Sequence, residues 1–162
     1  MFSIGIITAS DKGARGERED LSGRAIAEML SGLGQVKRYI IVPDERDALS
    51  QAMIDMADNF KIDLILTTGG TGFGPRDVTP EATLAVIDRL APGIPEVMRA
   101  KSLEVTSRAM LSRAVAGLRN RTLIINLPGS PKGVRECLEA VLPALDHGLA
   151  IMKGETGECA RA

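Results

Sequence analysis

Apolar residues follow two rhythms along this chain. Short apolar runs alternate with longer stretches in which apolar positions recur every three or four residues. The first rhythm marks strands buried on both faces, the second amphipathic helices. Met1 to Ala9, Val36 to Val42, Leu64 to Thr68 and Thr122 to Leu127 are the predicted strands. From Ser22 the pattern is helical, with Ile26, Met29, Leu30 and Leu33 on one face and Gly34 as a stop. Asp44 to Phe60 is the clearest helix, its stripe being Leu49, Ala52, Met53, Met56, Ala57 and Phe60. Thr79 as N-cap and Pro80 at the first helical position open another, expected to run to Leu90 through Thr83, Val86 and Ile87. Pro92-Gly93-Ile94-Pro95 is a break, Glu96 to Val105 a further helix, and Ala109 to Gly117 fits neither rhythm. The closing helix buries Val134, Leu138, Val141, Leu142 and Leu145, and Pro143 is expected to kink or split it near Leu142.

Strands alternating with helices predict an α/β fold with a mostly parallel central sheet, covered on both faces. In such folds ligands bind beyond the carboxyl ends of the strands. The loops of chemical interest here each follow a strand: Ser10-Asp11, Pro43-Asp44, Gly69 to Asp77, and Leu127 to Lys132. Ser10 to Leu21 reads as a polar loop. With no repeat and no linker, residues 1–153 are expected to form one domain, followed by an aperiodic tail, 154–162.

Composition narrows the function. With four aromatic residues (Phe2, Tyr39, Phe60, Phe73) the core must be aliphatic, and stacking platforms for single-stranded nucleic acid are not expected. Net charge is −1 and no Lys/Arg run exceeds two, so no nucleic-acid footprint is expected either. No apolar stretch approaches the ~20 residues of a membrane helix. The apolar N-terminus lacks the charged region of a signal peptide, and a cytoplasmic location is the expectation. Cys137 and Cys159 form no C-x-x-C pair and His147 is the sole histidine, which disfavours a zinc site.

The densest chemistry lies in Thr67-Thr68-Gly69-Gly70-Thr71-Gly72-Phe73-Gly74-Pro75-Arg76-Asp77-Val78-Thr79-Pro80-Glu81. Glycines leave backbone amides open to close approach by phosphate. The segment lacks the P-loop pattern G-x-x-x-x-G-K-[ST] and the dinucleotide spacing G-x-G-x-x-G, and the chain has no G-x-S-x-G. Carboxylates, hydroxyls, glycine amides, Arg76 and Lys132 remain, a set suited to phosphate and a divalent metal. Asp44 either faces a metal or caps its helix. Asp77 either faces a metal or ties down its loop.

Thr67 to Gly72 with Arg76-Asp77-Val78-Thr79-Pro80-Glu81-Ala82 resembles the signature of the MogA/MoaB family of molybdenum cofactor biosynthesis. Val42-Pro43-Asp44-Glu45, Leu111-Ser112-Arg113 and Asn126-Leu127-Pro128-Gly129-x-Pro131-Lys132 extend the likeness, which runs from about Ser3 to Lys153. The MogA-type adenylyltransferase branch is the most similar. The resemblance implies a three-layer α/β/α sandwich and a homotrimer. It implies adenylyl transfer from Mg-ATP to the terminal phosphate of molybdopterin, with adenylyl-molybdopterin and pyrophosphate as products. Asp44 and Asp77 match the family's catalytic aspartates and would hold Mg²⁺. Substrate contacts fall on Ser10 and Asp11 at the nucleotide side, Thr68, Gly69, Gly70, Thr71, Gly72 and Arg76 at the glycine loop, and Ser112, Arg113, Asn126, Pro128, Gly129 and Lys132 around the pterin. Thr106-Ser107-Arg108-Ala109 stands where the family often has Thr-Pro-x-Ala, which lowers the weight of Ser107 and Arg108 as contacts. The lack of an appended domain fits a stand-alone bacterial enzyme, with hand-off to a molybdenum-insertion protein. The alternatives are a non-catalytic MoaB-like pterin-binding or scaffold trimer, in which the two aspartates would be dispensable, and a CinA-type nucleotide-binding module, which this length disfavours.

Overall fold

The structure, a computed structural model, describes residues 1–155. Strands β1 (Phe2–Ala9), β2 (Gly34–Val42), β3 (Leu64–Thr68), β4 (Arg89–Leu90), β5 (Ala116–Arg119) and β6 (Thr122–Leu127) form one sheet in the order β2-β1-β3-β6-β5-β4. The β2-β1-β3-β6 portion is parallel, and β5 runs antiparallel to both of its neighbours. The helices are α1 (Asp11–Ala14), α2 (Leu21–Met29), α3 (Arg46–Ile54), α4 (Thr79–Leu84), α5 (Gly93–Leu103) and α6 (Pro131–Lys153). A π-turn, Asp55–Asn59, prolongs α3, and a 3-10 turn, Ser107–Leu111, follows α5.

Alternation along the strands sorts side chains into two cores. Ile4 and Ile6, Leu64 and Leu66, and Leu123, Ile125 and Leu127 face α2, α5 and α6. Ile7, Ile65 and Ile124 face α3, its π-turn and α4. Each such aliphatic side chain, withdrawn from water, contributes about 1.5–3 kcal/mol. The result is the expected α/β/α sandwich with a mostly parallel sheet.

Several boundaries depart from the sequence expectations. Gly34 is not a helix stop but the first residue of β2, so close to β1 that a Cβ there would lie 2.3 Å from Phe2 O. Helix α4 ends at Leu84, not Leu90. The chain then turns so that Asp88 N and Ala91 N bond Leu118 O (2.7 Å) and Ala116 O (2.8 Å). Arg89 and Leu90 thereby become an edge strand, and Leu90 is 59% exposed instead of buried. The residue before the helix is Val78, and Thr79 is inside it. The helix after the Pro-Gly-Ile-Pro break begins earlier than expected, at Gly93. Helix α6 passes Pro143 as one element. Pro143 and Glu139 both lie on its exposed side, where water reaches the carbonyl that proline leaves without a donor. Gly154, at φ +74°, ends α6. Beyond Glu155 the expected tail, with Cys159, lies outside the described residues. Among the described residues no helix is long and apolar enough to cross a membrane.

Candidate functional site

Four parallel strands end side by side, and their loops are laced together. After β1, Ser10 caps α1 by accepting from Gly13 N at 2.9 Å, which turns part of the expected loop into a short helix. Asp11 N donates to Asp44 Oδ2 at 2.9 Å, and Asp44 N donates to Asp11 Oδ1 at 3.0 Å. Asp44 therefore does not cap α3, whose N-cap is Glu45. Arg76 grips the Asp11 carboxylate from the glycine loop with Nε at 3.0 Å and Nη2 at 2.8 Å. That pairing holds the Asp11 carboxyl below its usual range. Burial pushes Asp44 the other way, and the neighbouring Asp11 and Asp77 charges add to the rise against the Asp11 amide.

The glycine loop is a tight turn set by the conformations that glycine allows. Gly69 and Gly70 sit at φ +92° and +68°, and a Cβ on Gly69 would lie 2.5 Å from Ala9 O. Thr79 Oγ1 donates to Gly69 O (3.0 Å) and Thr79 N to Gly70 O (3.1 Å). Asp77 closes the turn by accepting from Gly74 N at 2.8 Å, while added Cβ atoms on Gly72 or Gly74 would come within 2.9 Å of Asp77 Oδ2.

Two cavities flank this turn. One, of about 650 Å³, is lined by Ser10, Asp44, Thr68, Gly69, Gly70, Asp77 and Gly129 among others. The second, of about 470 Å³, is lined by Thr71, Gly72, Ser112, Pro128 and Lys132, with Met98, Arg99, Ser102 and Cys137 behind them. Ser130 touches both. Thr68 Oγ1 donates to Pro128 O at 2.7 Å and Ser22 Oγ to Gly129 O at 2.7 Å, so the β6 corner is pinned against the turn. Among the described residues no group of three or more His, Cys, Asp or Glu is arranged to hold a metal.

Four expected contacts line neither cavity. Asp11 and Arg76 satisfy each other at the rim. Asn126 is fully buried: its Nδ2 donates to Thr67 Oγ1 (3.0 Å) and Thr83 Oγ1 (2.8 Å), and its Oδ1 accepts from Val115 N (3.2 Å). Arg113 turns inward, with Nε on Gly72 O (2.7 Å), Nη2 on Asp77 O (2.6 Å) and Nη1 on Glu81 Oε1. The sequence reading also missed residues. Asp20 lines the larger cavity, caps α2 through Gly23 N (2.9 Å), and accepts from Thr8 and Tyr39. Burial, then the Asp20 carboxylate, raises the Tyr39 pKa. A capping signal three residues ahead of Gly23 was available for Asp20. Arg108, discounted with its loop, lines the second cavity beside Thr106, which caps the 3-10 turn.

Known proteins resemble this chain along most of its length. Residues 5–147 match a family model described as a probable molybdopterin binding domain. The chain is 50% identical over 154 residues to a molybdopterin adenylyltransferase of Helicobacter pylori strain J99, covering 93% of this chain and 88% of that one. A crystal structure of the molybdopterin biosynthesis enzyme MoaB from Thermus thermophilus superposes with a TM-score of 0.89 at 55% identity, covering 95% of this chain and 98% of that one. The tungsten cofactor synthesizing protein MoaB from Pyrococcus furiosus gives 0.87 at 40% identity, covering 94% and 98%.

Proposed function

Because this chain belongs to the molybdopterin-binding family, we propose that it is a molybdopterin adenylyltransferase working in molybdenum cofactor biosynthesis. The observation that carries the reading is the shared wall: Asp44 and Asp77 stand at one cavity, and the glycine turn beside them also bounds a second. Two neighbouring chambers suit a reaction between two substrates. In this reading ATP occupies the chamber with the aspartates, and the pterin occupies the more apolar one, beside Ser112, Pro128 and Lys132.

The terminal phosphate oxygen of molybdopterin attacks the α-phosphorus of ATP. A new P–O bond forms, the bond to the β-phosphate bridge breaks, and pyrophosphate leaves. The protein's part is positioning and charge neutralisation. Asp44 and Asp77 offer the hard oxygen donors that magnesium takes, and two carboxylates leave its remaining positions to phosphates and water. Asp44, whose ionised form is disfavoured by burial, gains from a cation beside it. Bound there, Mg²⁺ would offset the charge that develops on the pyrophosphate. The reading includes a homotrimer in the cytoplasm and transfer of the product to a separate metal-inserting protein.

Purified protein given Mg-ATP and molybdopterin is expected to release pyrophosphate in step with adenylyl-molybdopterin. Release at background level overturns the reading. Unchanged cofactor production in cells carrying Asp77→Asn would favour a non-catalytic pterin-binding role.

A further inference from the structure

The segment from Arg18 to Leu21, which joins α1 to α2, forms one wall of the larger cavity. It is held on both sides of Arg18. Before it, Glu17 N donates to Lys12 O at 2.9 Å, Gly16 turns at φ +73°, and Arg15 pairs with Glu17 through Nε and Nη2, each at 3.0 Å. After it, Arg24 pairs with Glu19, and Asp20 accepts from Thr8, Tyr39 and Gly23 N. Arg18 itself is exposed, and no described residue gives it a hydrogen bond or an ion pair. The main chain is thus fixed around a guanidinium that the rest of the protein does not engage.

The charges beside it say what it would engage. Among the described residues that line this cavity Arg18 is the only basic one, against the carboxylates of Glu19, Asp20, Asp44 and Asp77. Arg24 takes Glu19, and Asp20 has both oxygens on protein donors. Asp44 and Asp77 are left to face a cation. One divalent ion shared between two carboxylates and a triphosphate does not cancel the charge of both, so the polyanion needs a further cation. Arg76 is held by Asp11, and Arg113 by the glycine turn and Glu81. Arg18 remains, and a guanidinium is always charged and can grip two phosphate oxygens at once.

We infer that Arg18 binds the β- and γ-phosphates of ATP, the part that leaves as pyrophosphate. The inference rests on the adenylyl-transfer reading, in which the α-phosphorus lies beside Asp44, Asp77 and the glycine turn. The rest of the phosphate tail then runs to the wall that carries Arg18. AMP has neither of these phosphates, so the contact favours the nucleotide that can react over the one that cannot.

The test is a calorimetric titration of the full chain, with magnesium present, by ATP, pyrophosphate and AMP in turn. Arg18→Gln should bind ATP and pyrophosphate about tenfold more weakly than wild type and AMP equally well. Arg18→Glu, which adds a repelling charge, should bind ATP and pyrophosphate more weakly still. Added salt should weaken ATP binding more in the wild type than in Arg18→Gln. The side chain has no partner to lose, so both variants should melt like wild type. Arg18→Gln binding ATP like wild type, or losing AMP by the same factor, overturns the proposal, as does Arg18→Glu binding ATP no worse than Arg18→Gln. A wild-type protein that forms no adenylyl-molybdopterin, yet loses pyrophosphate affinity on Arg18→Gln, would overturn the proposed reaction and leave Arg18 as a phosphate contact.

Discussion

Asp11 and Asp44 each give a backbone amide to the other's carboxylate, at 2.9 and 3.0 Å, and so join the ends of β1 and β2. The exchange is symmetrical in geometry and opposite in electrostatics. Arg76 stabilises the Asp11 charge at the rim, whereas burial and two neighbouring carboxylates burden Asp44. The group with the less stable charge faces the cavity, where a bound cation would relieve it.

Asp44→Asn should separate activity from stability. The amide oxygen can still accept from Asp11 N, but the charge is gone, and adenylyl transfer should fall by about 100-fold or more. Stability should move the other way. Because the folded-state pKa of Asp44 is raised, its favourable contribution is present below the unfolded pKa and lost as pH rises through the folded one. The variant should therefore melt higher than wild type at pH 7, and the gap should close towards about pH 4. Calorimetry across that range checks it, and a variant that melts lower at pH 7 refutes it.

Arg119→Met provides the contrasting case. Arg119 binds Asp58 on the π-turn with Nε at 3.1 Å and Nη2 at 2.6 Å, and Val86 O with Nη1 at 2.8 Å, far in sequence from the glycine turn. The Arg119 bond lowers the Asp58 pKa, so this stabilisation is present above the unfolded carboxylate pKa and fades as pH falls through the folded one. The urea midpoint should drop at pH 7, the difference should shrink in acid, and kcat should stay unchanged.

Gly69→Ala should be costly on two counts. The left-handed backbone costs a non-glycine residue about 1–2 kcal/mol, and the new methyl would press on Ala9 O, 2.5 Å away. Chemical denaturation should show a loss at least that large, and pyrophosphate release should fall with it. An alanine variant of full stability would mean that the turn is looser than the structure implies.

Cys137 offers a probe of the smaller cavity. It is 5% exposed, and burial raises its thiol pKa. In a Cys159→Ser background, thiol reagents at pH 7 should react more slowly than with a free cysteine, and a pterin ligand should slow them further. Labelling indifferent to the ligand would remove the pterin from this chamber.

The parallel strands were legible because a strand buried on both faces leaves an unbroken apolar run. Edge strand β4 was not, because two residues carry no period, and Val86, Ile87 and Leu90 happen to keep helical spacing across the end of α4. Asp44 stood out in the sequence because it follows the end of β2 closely, and Asp77 because it stands at the exit of the glycine loop. Asn126 was misplaced for a reason visible in its own strand. Leu123, Ile125 and Leu127 point to one face, so Ile124 and Asn126 point to the other, into the layer where Thr67 and Thr83 receive it. Arg113 was named without its direction, since a motif fixes which residue is present and not where its side chain turns. The smaller cavity draws much of its lining from α5 and α6, whose apolar stripes look the same whether they meet a core or a ligand.

Where the glycine turn meets the β6 corner, main chain lies against main chain: a Cβ on Gly129 would stand 3.4 Å from Gly69 Cα. At this seam the wall of the larger chamber is backbone against backbone, with no side chain to lengthen or shorten. Substitutions in the walls can re-tailor either chamber for a different guest. The spacing between the β3 and β6 corners is fixed by peptide geometry, and so it is the dimension that sequence drift can alter least without losing the fold.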